Sequence, residues 1–129
     1  MVEFIFGLRS LKNLVGVHPD LVRVVERGLV LSPIDFAITD GIRTSSEQSE
    51  LVRVGKSKTL NSRHLTGHAV DVAAYVNGTL TWDWECYELI AVAMKTASKQ
   101  LTIPIDWGGD WAGFRDGVHF QLTRKGHPA

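Results

Sequence analysis

The sequence predicts an α+β domain, a small antiparallel or mixed sheet with helices packed on one face. Three observations carry that expectation. Two segments space their apolar residues as helices do, three short apolar or β-branched runs lie between turn signals, and the order is helices, strand, helix, strand, helix, strand.

From Pro19 to Leu29, the residues Leu21, Val24, Val25 and Leu29 fall on one helical face, with Arg23, Glu26 and Arg27 elsewhere. Gly28 and the Ser32-Pro33 pair are expected to end this helix. Ile34 to Thr39 reads as a strand, and Asp40-Gly41 turns the chain. A second helix is expected near Thr44-Ser45-Ser46, because Thr44 to Glu47 and Ser45 to Gln48 both have capping-box spacing. It should run to about Val54 and stop at Gly55.

Lys56 to Thr66 is polar without a period and reads as an ordered loop, feeding a strand at His68 to Val76. A third helix follows, with Cys86, Leu89, Ile90, Ala93, Met94 and Ala97 on one stripe. The Gly/Trp-rich run from Trp107 to Trp111 then leads to a final strand at Val118 to Leu122.

A chain of 129 residues holds one compact domain, read here as residues 1–129. Lys+Arg and Asp+Glu are 14 each, so the overall balance gives no reason to expect nucleic acid or an anionic membrane as partner. No segment approaches the roughly 20 apolar residues of a membrane span. The apolar run Val2 to Phe6 lacks the basic start and cleavage site of a secretion signal. Cys86, the single cysteine, excludes internal disulfides and cysteine-rich zinc frameworks, and its place on a helical stripe reads as core. Gly55-Lys56-Ser57 resembles the tail of a phosphate-binding loop, but Glu50 stands where that motif requires Gly.

Any metal must therefore be held by histidine and carboxylate. His64 and Asp71 lie seven residues apart, and Asp116-Gly117-Val118-His119 supplies a second pair. Catalytic zinc commonly takes three protein ligands and leaves a position open for water, which two histidines and one carboxylate would satisfy. On a strand, Asp71 points away from His68, and Gly67 lets the loop turn so that His64 can fold back toward Asp71. His64 and His68 have helical metalloprotease spacing, but Gly67 argues against a helix and no Glu follows His64. Asp116 fits a group that takes a proton from attacking water and returns it to the leaving amine. Asp116 could instead cap the turn at Gly117, with Asp106 and Asp110 as alternative bases. Arg43 is the candidate for stabilising an oxyanion or clamping a carboxylate.

Ser62-x-His64, Gly67-x-Ala69-x-Asp71 and Asp116-x-x-His119 together resemble the D-alanyl-D-alanine carboxypeptidase/VanY-type zinc peptidases, most closely phage endolysins of the L-alanyl-D-glutamate endopeptidase type. Asp40 to Thr44, Glu47-Gln48 and Trp107-Gly108-Gly109 extend the resemblance from about Ser10 to Leu122. It implies Zn2+ on His64, Asp71 and His119, Asp116 as acid/base, Arg43 as an assisting residue, and peptidoglycan stem peptides as substrate. Members of this family often carry an appended cell-wall-binding domain, but none is expected here, and the protein is expected to be a monomer, made in the host cytoplasm and reaching the periplasmic wall through a holin. The alternatives are a D,D-carboxypeptidase or dipeptidase, and a non-catalytic zinc module of the hedgehog kind. Asp116 beside a full ligand set argues against the latter. His68 is expected beside the ligands or on the substrate side, His18 and His127 as packing or surface residues. Trp107 and Trp111 fit either core or a substrate groove.

Overall fold

The computed structural model describes residues 4–57 and 59–128, so part of the Val2 to Phe6 run and Lys58 of the polar loop lie outside the described residues. The elements are α1 (Leu8–Asn13), α2 (Pro19–Leu31), β1 (Asp35–Asp40), α3 (Ser45–Arg53), β2 (Ala69–Val76), β3 (Thr79–Thr81), α4 (Trp84–Leu101), β4 (Ile105–Trp107) and β5 (His119–Leu122). Two 3-10 turns, Arg63–Thr66 and Gly108–Asp110, complete the chain. Every strand pair is antiparallel; the order is β1-β2-β5-β4, with β3 added to β2.

Strand alternation divides the sheet into two chemically distinct faces. Phe36 and Ile38 of β1, Val70, Val72 and Ala74 of β2, and Phe120 and Leu122 of β5 join the core cluster with α2 and α4. The opposite face carries Asp71, His119 and Gln121, which register pairs across β2 and β5: Asp71 with His119, Ala69 with Gln121. Helices thus bury one face and leave the other for chemistry.

α2 presents Leu21, Val24, Val25 and Leu29 as expected, but Gly28 lies within the helix and does not end it. A Cβ there would stand 2.4 Å from Met94 Sδ of α4, so Gly28 permits close approach of the two helices. On α4, Leu89 is exposed and Tyr87 is buried in its stead. The Tyr87 hydroxyl accepts from Ala74 N–H at 3.1 Å and donates to Thr81 O at 2.9 Å, tying the helix to the β2-β3 hairpin. That hairpin turns at Asn77-Gly78, both with positive φ (51° and 76°), the conformation a two-residue turn between twisted strands requires.

The outer edge of β1 is closed by α1. Ser10 Oγ accepts from Ile38 N–H at 3.0 Å, and Asn13 Nδ2 donates to Ile38 O at 2.8 Å. A bulge between Ile38 and Asp40 then breaks the alternation, so that Asp40 pairs with Asp71. Without that extra residue Asp40 would share the core face with Ile38; the bulge turns it onto the chemical face.

Candidate active site

The 3-10 turn Arg63–Thr66 delivers His64. Ser62 Oγ accepts from His64 N–H at 3.2 Å, and Gly67 closes the turn at φ 74°. Gly67 also packs tightly, since a Cβ would lie 2.5 Å from Gly16 O, and its carbonyl accepts from His18 N–H at 2.8 Å. The expected fold-back of His64 toward Asp71 is present, and Gly67 is its hinge.

His64, Asp71 and His119 converge, with ligand atoms all within 4.8 Å of one another. Asp71 Oδ1 lies 3.2 Å from His64 Nε2 and 3.3 Å from His119 Nδ1. The far nitrogen of each ring is already committed. His64 Nδ1 is 2.7 Å from the carbonyl of Gly41, which only accepts, so Nδ1 carries a proton and Nε2 is the nitrogen turned toward Asp71. His119 Nε2 is 2.8 Å from Gln121 Oε1, and donation there leaves the Nδ1 lone pair facing the same carboxylate. When each ring holds only the proton on its far nitrogen, three acceptors meet with no proton between them, an arrangement a cation resolves. Ligands at about 2.0–2.1 Å in tetrahedral array stand about 3.3 Å apart, which the two measured separations match. This donor set fits a metal ion.

The metal-free electrostatics show what a cation would replace. Burial works to raise the Asp71 pKa, but hydrogen bonds from His119 and His64 outweigh it and hold the carboxyl well below the usual carboxylate range. Burial likewise disfavours charge on His119, yet its contact with Asp71 raises the His119 pKa overall. Asp116 moves the other way: burial, then the nearby Asp71 charge, raise its pKa. Asp116 is half-buried and lines one cleft of about 860 Å³ with the three converging residues, Arg43 and Trp111. Its N–H donates to Gly108 O at 2.9 Å, and its carbonyl accepts from His119 N–H at 3.2 Å, fixing it to the strand that bears His119.

Arg43 reaches the site differently from a free clamp. Its guanidinium bonds Asp40 through Nε and Nη2, donates from Nη1 to Gln48 Oε1 at 2.7 Å, and sets Nη2 3.5 Å from Asp71 Oδ2. Gln48, fully buried, donates onward to Ser57 Oγ at 2.9 Å and Thr59 O at 2.6 Å. Asp40, Gln48 and Gln121 are the residues the sequence reading left without a site role. The strand period could have found Gln121, two residues beyond His119 on the same face; Gln48 carried a helix-start signal and a place in the resemblance, neither of which assigns it a site role.

Of the remaining candidates, Asp110 is engaged by Lys95 Nζ at 2.7 Å on the surface, whereas Asp106 lines the cleft. Trp107 is core, its Nε1 donating to Gly117 O at 2.8 Å. Trp111 lines the cleft, its ring centroid 5.1 Å from that of His119. His68 is not among the cleft residues; it contacts Thr66 Oγ1 at 2.7 Å and the ring of His18.

A two-histidine, one-carboxylate centre with an acid of raised pKa beside it, on the uncovered face of a small sheet, has the form of a metallohydrolase site. The chain belongs to the phage L-alanyl-D-glutamate peptidase family, which matches residues 2–124. It is 38% identical over 127 residues to the L-alanyl-D-glutamate peptidase of Escherichia phage T5, spanning 95% of this chain and 92% of that protein. The peptidoglycan L-alanyl-D-glutamate endopeptidase CwlK of Bacillus subtilis (strain 168) is 31% identical over 109 residues, 69% of this chain and 61% of CwlK. Among solved structures, the Serratia marcescens L-Ala D-Glu endopeptidase ChiX superposes with a TM-score of 0.91 at 49% identity, covering 97% of this chain and 95% of ChiX.

Proposed function

We propose that this protein is a zinc endopeptidase that hydrolyses the L-alanyl-D-glutamate bond of peptidoglycan stem peptides and lyses bacteria as a phage endolysin. The observation that carries the chemistry is the single Asp71 oxygen set 3.2 and 3.3 Å from ring nitrogens of His64 and His119. His64, Asp71 and His119 are the ligands. A zinc ion bound there supplies Lewis-acid activation of water and of the scissile carbonyl. Asp116 takes the proton from the attacking water and passes it to the departing amine, a role that its raised pKa suits. Arg43 braces Asp71 through Oδ2 so that Oδ1 stays on the metal side.

Residues 1–129 act as one catalytic domain and as a monomer. The protein is made in the host cytoplasm and passes to the wall through a holin; among the described residues no helix is long and apolar enough to cross a membrane.

Digestion of purified peptidoglycan with and without chelator, followed by mass spectrometry of the new termini, tests the reading. New N-terminal D-glutamate or isoglutamine that vanishes with chelator and returns with zinc is the expected result. Released D-alanine would instead mark a carboxypeptidase, and intact peptidoglycan a binding module.

A further inference from the structure

We propose that His18, Asp20 and His127 form a second site for a divalent transition-metal ion of the zinc type, one that fastens the C-terminal turn to the start of α2. This site is separate from the catalytic cleft, which none of these three side chains lines.

One ligand atom from each of His18, Asp20 and His127 lies within 4.8 Å of the others. His127 Nε2 is 2.8 Å from Asp20 Oδ2, across 107 positions of sequence. The rings of His68 and His127 flank that of His18, with centroids 5.3 and 5.1 Å from it. Among the described residues His127 Nδ1 is buried with no hydrogen-bond partner, so one nitrogen of this ring is not satisfied by protein alone.

Imidazole nitrogen and one carboxylate are the ligand types that zinc and its neighbours in the first transition row prefer, whereas calcium and magnesium require oxygen sets. The ion displaces the proton shared by His127 and Asp20, with the 2.8 Å contact opening to the roughly 3.3 Å edge of a tetrahedral site, and takes the place of the Asp20 N–H that His18 Nδ1 accepts at 3.1 Å. The gain is mechanical. His127 O accepts from Arg63 Nη2 at 2.6 Å, and Arg63, buried, precedes the catalytic ligand His64. An ion here locks the C-terminal turn, the α2 start and the His64 turn into one unit.

The test counts metal on the full chain, stripped with chelator, dialysed against zinc and analysed by elemental mass spectrometry. The parent protein should hold about two ions per chain, and His18→Ala/His127→Ala or His64→Ala/His119→Ala about one each. Zinc should also raise the thermal midpoint of His64→Ala/His119→Ala protein, and leave that of the fourfold variant unchanged. Should His18→Ala/His127→Ala fail to fold by circular dichroism, Asp20→Asn/His127→Gln, which keeps the shapes, should weaken the second ion at least about tenfold. One ion in the parent, or two retained in a folded His18/His127 variant, overturns the proposal. Neither result depends on peptidase activity, so the proposed function and this site stand or fall separately.

Discussion

Arg43 and Asp71 face each other with Nη2 3.5 Å from Oδ2, while the other Asp71 oxygen faces the two histidines. Asp40 and Gln48 fix the guanidinium on its remaining sides. Arg43→Ala should therefore weaken zinc binding by about 10–100-fold, the usual cost of losing a group that orients a metal ligand. Arg43→Lys should recover only part of this, because one ammonium cannot hold Asp40, Gln48 and Asp71 together. Competition against a chromophoric chelator measures both. Unchanged affinity in Arg43→Ala, with a raised KM alone, would instead show that Arg43 serves the substrate.

The metal-free protein should respond to pH through the same cluster. Asp71 has a depressed pKa, so its stabilising contribution is present above the unfolded value of about 3.9 and is lost as pH falls below it. His119 has a raised pKa, so its contribution is complete below about 6.5 and disappears as pH climbs through the folded value. Chelated protein should thus draw most stability from this pair between about pH 4 and 6.5. Zinc must displace the His119 proton, so the rise in thermal midpoint on adding zinc should grow from about pH 6 to 8. Thermal scans at fixed total zinc decide it; an increment that shrinks over that range contradicts the ligand assignment.

Gly67→Ala should cost about 1–3 kcal/mol, combining strain at positive φ with a Cβ 2.5 Å from the Gly16 carbonyl. Gly55→Ala separates the two effects. Gly55 has φ 81° but nothing within 4 Å of its added Cβ, so it should cost only about 1 kcal/mol. Urea denaturation of both variants supplies the comparison. Equal losses would mean that the close approach to Gly16 contributes nothing.

These sites differ in how visible they were in the sequence. His64, Asp71 and His119 declared themselves because residue type and spacing limit which groups can share an ion, and Gly67 marked the turn that unites two of them. The α2 stripe and both capping residues of α3 were legible for the same local reason. Asp40 was not, since its place depends on a bulge set by β1-β2 pairing rather than by any local pattern. Gln48 was buried by a loop distant in sequence, and Gly28 was read as a stop because its partner, Met94, belongs to another helix. The strands β3 and β4 are three residues each, too short to show a period, and the Asn77-Gly78 turn that joins β2 to β3 was not read as a hairpin.

Asp116→Asn is the sharpest test of the chemistry, because it keeps the side-chain shape and leaves the backbone bonds to Gly108 and His119 available. Activity should fall by about 10²–10⁴-fold, the range spanned by general acid–base catalysis, with bound zinc unchanged. Burial and the Asp71 charge raise the Asp116 pKa, and a base works only when deprotonated. The acid limb of kcat/KM in the parent should therefore rise with pH at a value above that of an exposed aspartate. The variant should lose that limb and keep a flat residual rate. If the limb survives in Asp116→Asn with a rate within about tenfold of the parent, the proton is handled elsewhere, and Asp106, which lines the same cleft, becomes the next residue to replace.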